Sequence, residues 1–321
     1  MDRSDHHEIA PALRRLLRRA SFLPGLERFA PKVARRFMAL LAKGMVPRRA
    51  FQVDETIQHI GPNRLTVRVF CPRGSIEPRP ALLYLHGGGW TIGSSAESRP
   101  FTALLAEQAS CVVYSLDYRL APEHPFPQPL SDVATAWDWL QQHHPRADEV
   151  PLIIGGDSAG ATLATVLCRR LRHQAGRQPD GQFLIYPMTS TKQQTASYQR
   201  YAQGLILTRS TIDYFLRHYI GQVKNPAANA DISPLHADDL SRLPPAFIGL
   251  AAADILHDEG VAYAQALRQA GVPVELQVFP DMIHAFINLL AISAAYDSAA
   301  VCAKQLQQLI QRTSNHAPRA H

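Results

Sequence analysis

The chain has 321 residues, 46% hydrophobic and 19% charged, so it can bury a full core, and its length suits one large domain or one domain carrying an insertion. Its four cysteines, Cys71, Cys111, Cys168 and Cys302, are widely spaced without a Cys-x-x-Cys pair, which argues against a disulfide framework or a cysteine zinc site and fits a reducing compartment. The formal charge of +6 is uneven: residues 1–50 hold twelve Lys/Arg against four Asp/Glu, a local +8 that leaves −2 for the remainder.

The first residues, Met1 to Ala10, are polar and lack the apolar stretch of a secretory signal, and no run approaches the ~20 apolar residues of a membrane span. A cytoplasmic protein without stable membrane insertion is expected. Leu13, Leu16, Leu17 and Ala20 recur near helical spacing between Arg14, Arg15, Arg18 and Arg19, which predicts an amphipathic surface helix. Its charge reads as a solvated face. The alternative is attraction to an anionic membrane or nucleic acid, and an interfacial lipase would need a long apolar face that this Arg-rich segment does not suggest.

From residue 51 the chain alternates short apolar runs with helical patterns. Phe51–Ile60 and Leu65–Cys71 come first, and their alternation of polar Thr66 and Arg68 with Val67 and Val69 predicts an antiparallel edge pair. The later runs are Ala81–His86, Cys111–Tyr118, Leu152–Gly155, Phe183–Tyr186, Ala246–Ala251 and Val274–Phe279; nearly continuous apolarity marks them as buried parallel strands. Helical patterns lie over Leu130–His143, Ser158–His173, Glu259–Ala270 and Ala294–Gln311. The expected fold is α/β, an eight-stranded, mostly parallel sheet with helices on both faces. Residues 190–225 fit neither a strand nor one clean helix and are expected to be an insertion; with residues 1–50 they would form a two-part helical cap over a catalytic domain of residues 51–321.

Two strand ends carry chemistry on their own motifs. Gly156-Asp157-Ser158-Ala159-Gly160 stands between an apolar run and a helical pattern, the strand-turn-helix context of a nucleophile elbow, in which a strained turn lifts the serine hydroxyl off the sheet. The turn also places Ser158 and Ala159 at a helix N-terminus, where unpaired amides favour negative charge. About seventy residues earlier His86-Gly87-Gly88-Gly89-Trp90 follows another strand, and a backbone so poor in side chains can present its amides to an oxyanion. No Gly-x-Gly-x-x-Gly or Gly-x-x-x-x-Gly-Lys pattern supports nucleotide binding.

An acid and a histidine are then needed downstream, and position selects them from fourteen histidines: Asp254 closes the run Ala246–Ala253, and His284 lies just past Val274–Phe279. His257 is the nearest rival but opens the following helix, with Asp258 and Glu259 as dipole-complementing acids of its first turn. Asp254 is preferred to Asp258 as the orienting acid. His6-His7 and His143-His144 lack partners at metal-site spacing, so no metal is expected.

With these motifs in place, the chain resembles the bacterial hormone-sensitive-lipase-like carboxylesterases of the α/β-hydrolase fold, and within them is similar to acetyl esterases. The resemblance rests on His86–Trp90, Asp117–Pro127, Gly156–Gly160, Asp254–Gly260 and His284–Phe286, spanning roughly residues 50–290. It implies a triad of Ser158, Asp254 and His284, amide donors at Gly88, Gly89 and Ala159, a cap built from the N-terminal residues, and hydrolysis of short-chain acyl esters without a cofactor. Ile255 stands where the family usually has proline, and Ala285 where glycine is commoner. The Tyr118–Pro127 stretch reads as a rigid loop supporting the oxyanion turn, with Arg119 and Glu123 paired structurally. Trp90 and Phe286 are bulky enough to shorten an acyl pocket, or equally belong to the core. Lactone or amide hydrolysis on the same triad, or a non-catalytic small-molecule receptor, are the rival functions; the expected partner is a small ester rather than nucleic acid, and a homodimer is left open.

Overall fold

The computed structural model describes residues 9–74, 78–172, 174 and 176–314. His6 and His7 lie outside them. Eight strands form one sheet: β1 (Val53–Ile60), β2 (Leu65–Pro72), β3 (Ala81–Leu85), β4 (Val112–Asp117), β5 (Leu152–Asp157), β6 (Gly181–Ile185), β7 (Ala246–Ala253) and β8 (Val274–Ile283). Their spatial order is β1-β2-β4-β3-β5-β6-β7-β8. Strand β2 runs antiparallel to both β1 and β4, and every pairing from β4 onward is parallel.

All eight expected strands are present, with ends shifted by a few residues. Strands β3 and β5, Ala-Leu-Leu-Tyr-Leu and Leu-Ile-Ile-Gly-Gly-Asp, are buried at every position because helices cover both faces of the sheet centre. Edge strand β1 is exposed or half-buried until Ile60.

The helices are α1 (Pro11–Ala20), α2 (Pro31–Lys43), α3 (Arg99–Ala109), α4 (Gln128–His143), α5 (Ala159–Leu171), α6 (Ala196–Arg200), α7 (Arg209–Ile220), α8 (His257–Gln269) and α9 (Ser293–Ser314). Helix α3 has no counterpart in the sequence expectations. Phe101 to Ala106 are all buried, and the helix packs against both β2 and α9, so it lacks the one-sided apolar stripe by which surface helices are recognised. The expected helix at residues 158–173 begins one residue later, because Ser158 is itself in the turn. Residues 190–225 contain α6 and α7 joined by an irregular segment. His143 and His144 are engaged locally: one ring bonds Trp139 O, the other Tyr114 Oη and Arg79 O.

Candidate active site

Strand β5 ends at Asp157 and α5 begins at Ala159, leaving Ser158 alone between them at φ 50° and ψ −120°. A side-chain-bearing residue holds such a backbone only where its surroundings impose it. Here the turn is pressed against β3: a Cβ on Gly156 would stand 2.1 Å from the Leu85 carbonyl oxygen, and one on Gly160 2.0 Å from the same atom. The Ser158 N–H donates to Ile185 O at 2.9 Å, tying the turn to β6 as well.

Parallel strands β7 and β8 end side by side and release the other two polar groups. Asp254 follows Ala253 and is fully buried; its Oδ1 accepts from the Leu256 N–H at 2.9 Å, and its Oδ2 lies 2.7 Å from His284 Nδ1. His284 follows Ile283, and its Nε2 is 3.1 Å from Ser158 Oγ. A carboxylate oxygen only accepts, so the proton of the neutral ring sits on Nδ1 and Nε2 faces the serine as an acceptor. The ring is backed by Tyr186, 4.4 Å away between centroids. Ala285 is in the left-handed region at φ 65°, the backbone that glycine takes most easily, which gives a physical reason for glycine being commoner there.

The rivals lie elsewhere. His257 opens α8 and bonds Ala251 O through Nδ1, while Asp258 accepts from the Ser197 N–H at 2.7 Å, beside α6. Glu259 is buried and accepts from the amides of Thr189 and Ser190 at 2.6 and 3.1 Å. Burial pushes its carboxyl up to about 8, against the pull of those two bonds. The two acids do occupy the first turn of α8, but they also anchor the chain between β6 and α7.

The glycine loop after β3 is oriented peptide by peptide. The Gly87 carbonyl accepts from His86 Nδ1 at 2.8 Å, and because a trans peptide points its N–H opposite its C=O, the Gly88 N–H faces away from His86. The Gly88 carbonyl accepts from the amides of Thr91 and Ile92 at 3.1 and 3.0 Å, which fixes the Gly89 N–H in the same way. The amides of Gly88, Gly89 and Ala159 donate to no acceptor among the described residues. Buried Asp157 joins this loop to the elbow by accepting from the Gly87 N–H at 2.8 Å and from Tyr84 Oη at 2.7 Å. Burial raises its carboxyl above the usual range, opposed chiefly by the Tyr84 bond.

Two further elements grip the loop. Tyr118 donates to His86 O at 2.7 Å and stacks on the His86 ring, and the Ala121 N–H donates to Trp90 O at 2.8 Å, so the Tyr118–Pro127 stretch does brace the turn. Arg119 pairs with Asp132, and Glu123 with Arg35 of α2. The Arg35 guanidinium also donates to Thr91 O at 2.8 Å and Ala121 O at 2.7 Å, bridging α2 to both loops. From the other side α7 lays Phe215 on the loop: a Cβ on Gly89 would be 2.1 Å from that ring. Tyr219 stacks on Trp90 at 4.2 Å. Trp90 and Phe286, 1% and 0% exposed, are core residues, and Phe215 is the aromatic that meets Gly89.

The arrangement therefore collects one hydroxyl, an acceptor nitrogen aimed at it, a buried carboxylate behind that nitrogen, and three uncommitted amides. Asp157, Arg35 and Phe215 had no assigned part in the sequence reading. Asp157 was visible inside its motif, whereas nothing local marks the other two.

In sequence and fold this chain is similar to known hydrolases. The profile of a family described as alpha/beta hydrolase fold matches residues 82–288. The carboxylic ester hydrolase LipN of Mycobacterium tuberculosis is 37% identical over 267 residues, covering 80% of this chain and 70% of that protein. An ethyl acetate hydrolase of Pseudomonas putida is 39% identical over 226 residues, 69% of this chain and 70% of its own. Among solved structures, ester-hydrolase EH1AB1 from the metagenome of Lake Arreo superimposes with a TM-score of 0.83 at 32% identity, over 92% of this chain and 99% of that one.

Proposed function

The chain belongs to the alpha/beta hydrolase fold family, in its hormone-sensitive-lipase-like branch, and is a carboxylic ester hydrolase; on that premise we propose that it cleaves short-chain acyl esters through an acyl-enzyme on Ser158. The observation that carries this is the unbroken line from Asp254 Oδ2 through His284 to Ser158 Oγ, with links of 2.7 and 3.1 Å.

Ser158 Oγ attacks the ester carbonyl carbon while His284 Nε2 takes its proton. Negative charge collects on the former carbonyl oxygen, where the amides of Gly88, Gly89 and Ala159 receive it. As the tetrahedral species collapses, the ester C–O bond breaks and His284 returns the proton to the departing alkoxide. Water, deprotonated by the same nitrogen, then attacks the acyl-enzyme and releases the carboxylic acid and free Ser158. Asp254 holds the imidazole in its productive tautomer and stabilises it when protonated. No step calls for a cofactor.

We also assign residues 9–50 and 190–225 to a cap, residues 1–8 lying outside the described residues; the Arg35 bridge from α2 and the placing of Phe215 and Tyr219 of α7 against the glycine loop support it. The Phe215 ring lies against Gly89 of the loop, and a relative named for ethyl acetate supports a small acyl group. Rates on p-nitrophenyl esters from acetyl to dodecanoyl test the reading. The fastest turnover is expected from acetyl to about hexanoyl, since each buried methylene contributes ~0.8 kcal/mol only until the pocket is full. Ser158→Ala and His284→Ala should each lower kcat by at least ~10²-fold with the fold intact. A maximum at the longest chains, or a tenth or more of wild-type rate in either variant, overturns it.

A further inference from the structure

The pattern of residues 1–50 predicts a solvated basic face, and among residues 9–50 the structure adds exposed apolar side chains to it. Of the eight large hydrophobic residues found exposed among the described residues, six lie here: Phe22, Leu23, Val33, Leu40, Leu41 and Val46. Phe22 is 90% exposed. Solitary exposed leucines are ordinary, but six gathered in one short segment are not.

The same segment is strongly basic. Residues 9–50 carry eleven Lys/Arg and the single acid Glu27, a net of 11 − 1 = +10. Arg35 and Arg49 are engaged by Glu123 and Glu107; Arg14, Arg15, Arg18 and Arg19 pair with no acid among the described residues. The two characters are interleaved. Arg15, Arg18 and Phe22, at i, i+3 and i+7, continue one exposed row through the end of α1, and Val33, Arg36, Leu40 and Lys43 make a similar row on α2. A groove of about 830 Å³ runs between α1 and Gly204, walled by Arg14, Arg15 and Arg18 around Leu17, and reaches Ser21 beside Phe22. Among the described residues no helix is long and apolar enough to cross a membrane.

We propose that this N-terminal segment is a reversible docking surface for an anionic phospholipid bilayer, with the arginine groove on the headgroup phosphates and the Phe22–Leu23 turn in the interface. Basic residues interleaved with an exposed aromatic and aliphatics are what a helix lying on such a surface presents. The chemistry favours this occupant over two others. A nucleic acid would use the arginines but has no evident use for Phe22, Leu23 and Leu40. A second copy joined through the same face would set +10 against +10.

The test is co-sedimentation of the full chain with phosphatidylglycerol–phosphatidylcholine vesicles and with pure phosphatidylcholine vesicles, at low and high salt, alongside a DNA duplex and gel filtration. Binding is expected only to the anionic vesicles, weakened by salt. Each Lys/Arg near such a surface contributes about fivefold in partitioning, so Arg18→Gln/Arg19→Gln should bind about thirtyfold more weakly. Phe22→Ser should also weaken binding, thermal midpoints serving as the control for folding in both variants. Ser158→Ala should bind like wild type, which separates this proposal from the assignment of the nucleophile. No binding to anionic vesicles, binding indifferent to Phe22→Ser, a DNA duplex that competes the vesicles away, or a dimer abolished by Phe22→Ser would each overturn it.

Discussion

Gly89→Ala is the substitution whose outcome the structure defines most sharply. The added Cβ would stand 2.1 Å from Phe215 Cγ, at the anchored end of a buried ring, whereas carbon atoms rest roughly 3.5–4.0 Å apart, so the loop must retreat by about 1.4 Å or more. An amide bonding an oxyanion at roughly 2.7–3.1 Å is out of reach once it moves that far. Losing one such donor costs about 10²–10³ in kcat. The φ of 56° at this position adds about 1–2 kcal/mol of backbone strain for any residue with a Cβ, which should lower the thermal midpoint as well. The two effects separate in a double variant: Phe215→Ala removes the ring the new methyl strikes but leaves the φ unchanged. Gly89→Ala/Phe215→Ala should thus recover at least tenfold of the kcat lost on p-nitrophenyl acetate, without recovering the midpoint, whereas Phe215→Ala alone should stay within about tenfold of wild type because its ring touches no reacting atom. Wild-type kcat in Gly89→Ala, or a double variant no faster than that single one, would refute the assignment of the Gly89 amide.

Two further outcomes follow from the carboxylates. In Asp254→Asn the amide oxygen should keep the Leu256 N–H and the NH₂ should face His284 Nδ1, which moves the ring proton to Nε2, where it can no longer accept from Ser158; kcat should fall about 10⁴-fold. In Asp258→Asn the new oxygen can still accept from the Ser197 N–H, so kcat should stay within about tenfold; the reverse ranking in steady-state assays would transfer the orienting role to Asp258. Glu259 supplies a pH dependence of stability. Its carboxyl is raised from 4.5 to about 8 in the folded state, so between those values the native chain keeps a proton that the unfolded chain releases, and stability falls as pH rises through that window. Below it the contribution is fully present. Urea midpoints should drop from pH 5 to 8 in wild type, by at most about one proton's worth of slope, and Glu259→Gln should flatten the curve; an unchanged slope in that variant would remove Glu259 as the cause.

The sheet was legible because parallel strands buried on both faces must be apolar along their whole length, and β3 and β5 show that as plainly in sequence as in space. The same burial hid α3. Periodicity reports a difference between two sides of an element, and Phe101 to Ala106 have no exposed side to contrast with the buried one. Ser158, Asp254 and His284, which the structure brings together and which we propose as the triad, stood out as candidates for another reason. Each stands at the end of a strand, in a sheet whose order follows from its connections, and local punctuation marks strand ends well.

Arg35 could not be found that way. It sits in a run of basic residues in which Arg36 has the same chemistry one position on, yet Arg36 is exposed while Arg35 reaches Glu123, Thr91 and Ala121, all more than fifty residues away in sequence. Only the rotation of α2 about its axis decides between them, and that rotation is set by Ala34 packing into the core. Phe215 presents the mirror case. Its ring takes the space that Gly89 leaves empty, so the two residues explain each other, but the glycine motif does not say what lies against it and Phe215 stands in a segment whose pattern fits no clean helix. Motifs recover groups whose role is held in local backbone geometry. Groups that act by closing one segment onto another are defined by the pairing, so for this chain the residues proposed to react could be picked out as candidates from sequence while the contacts that grip the glycine loop could not.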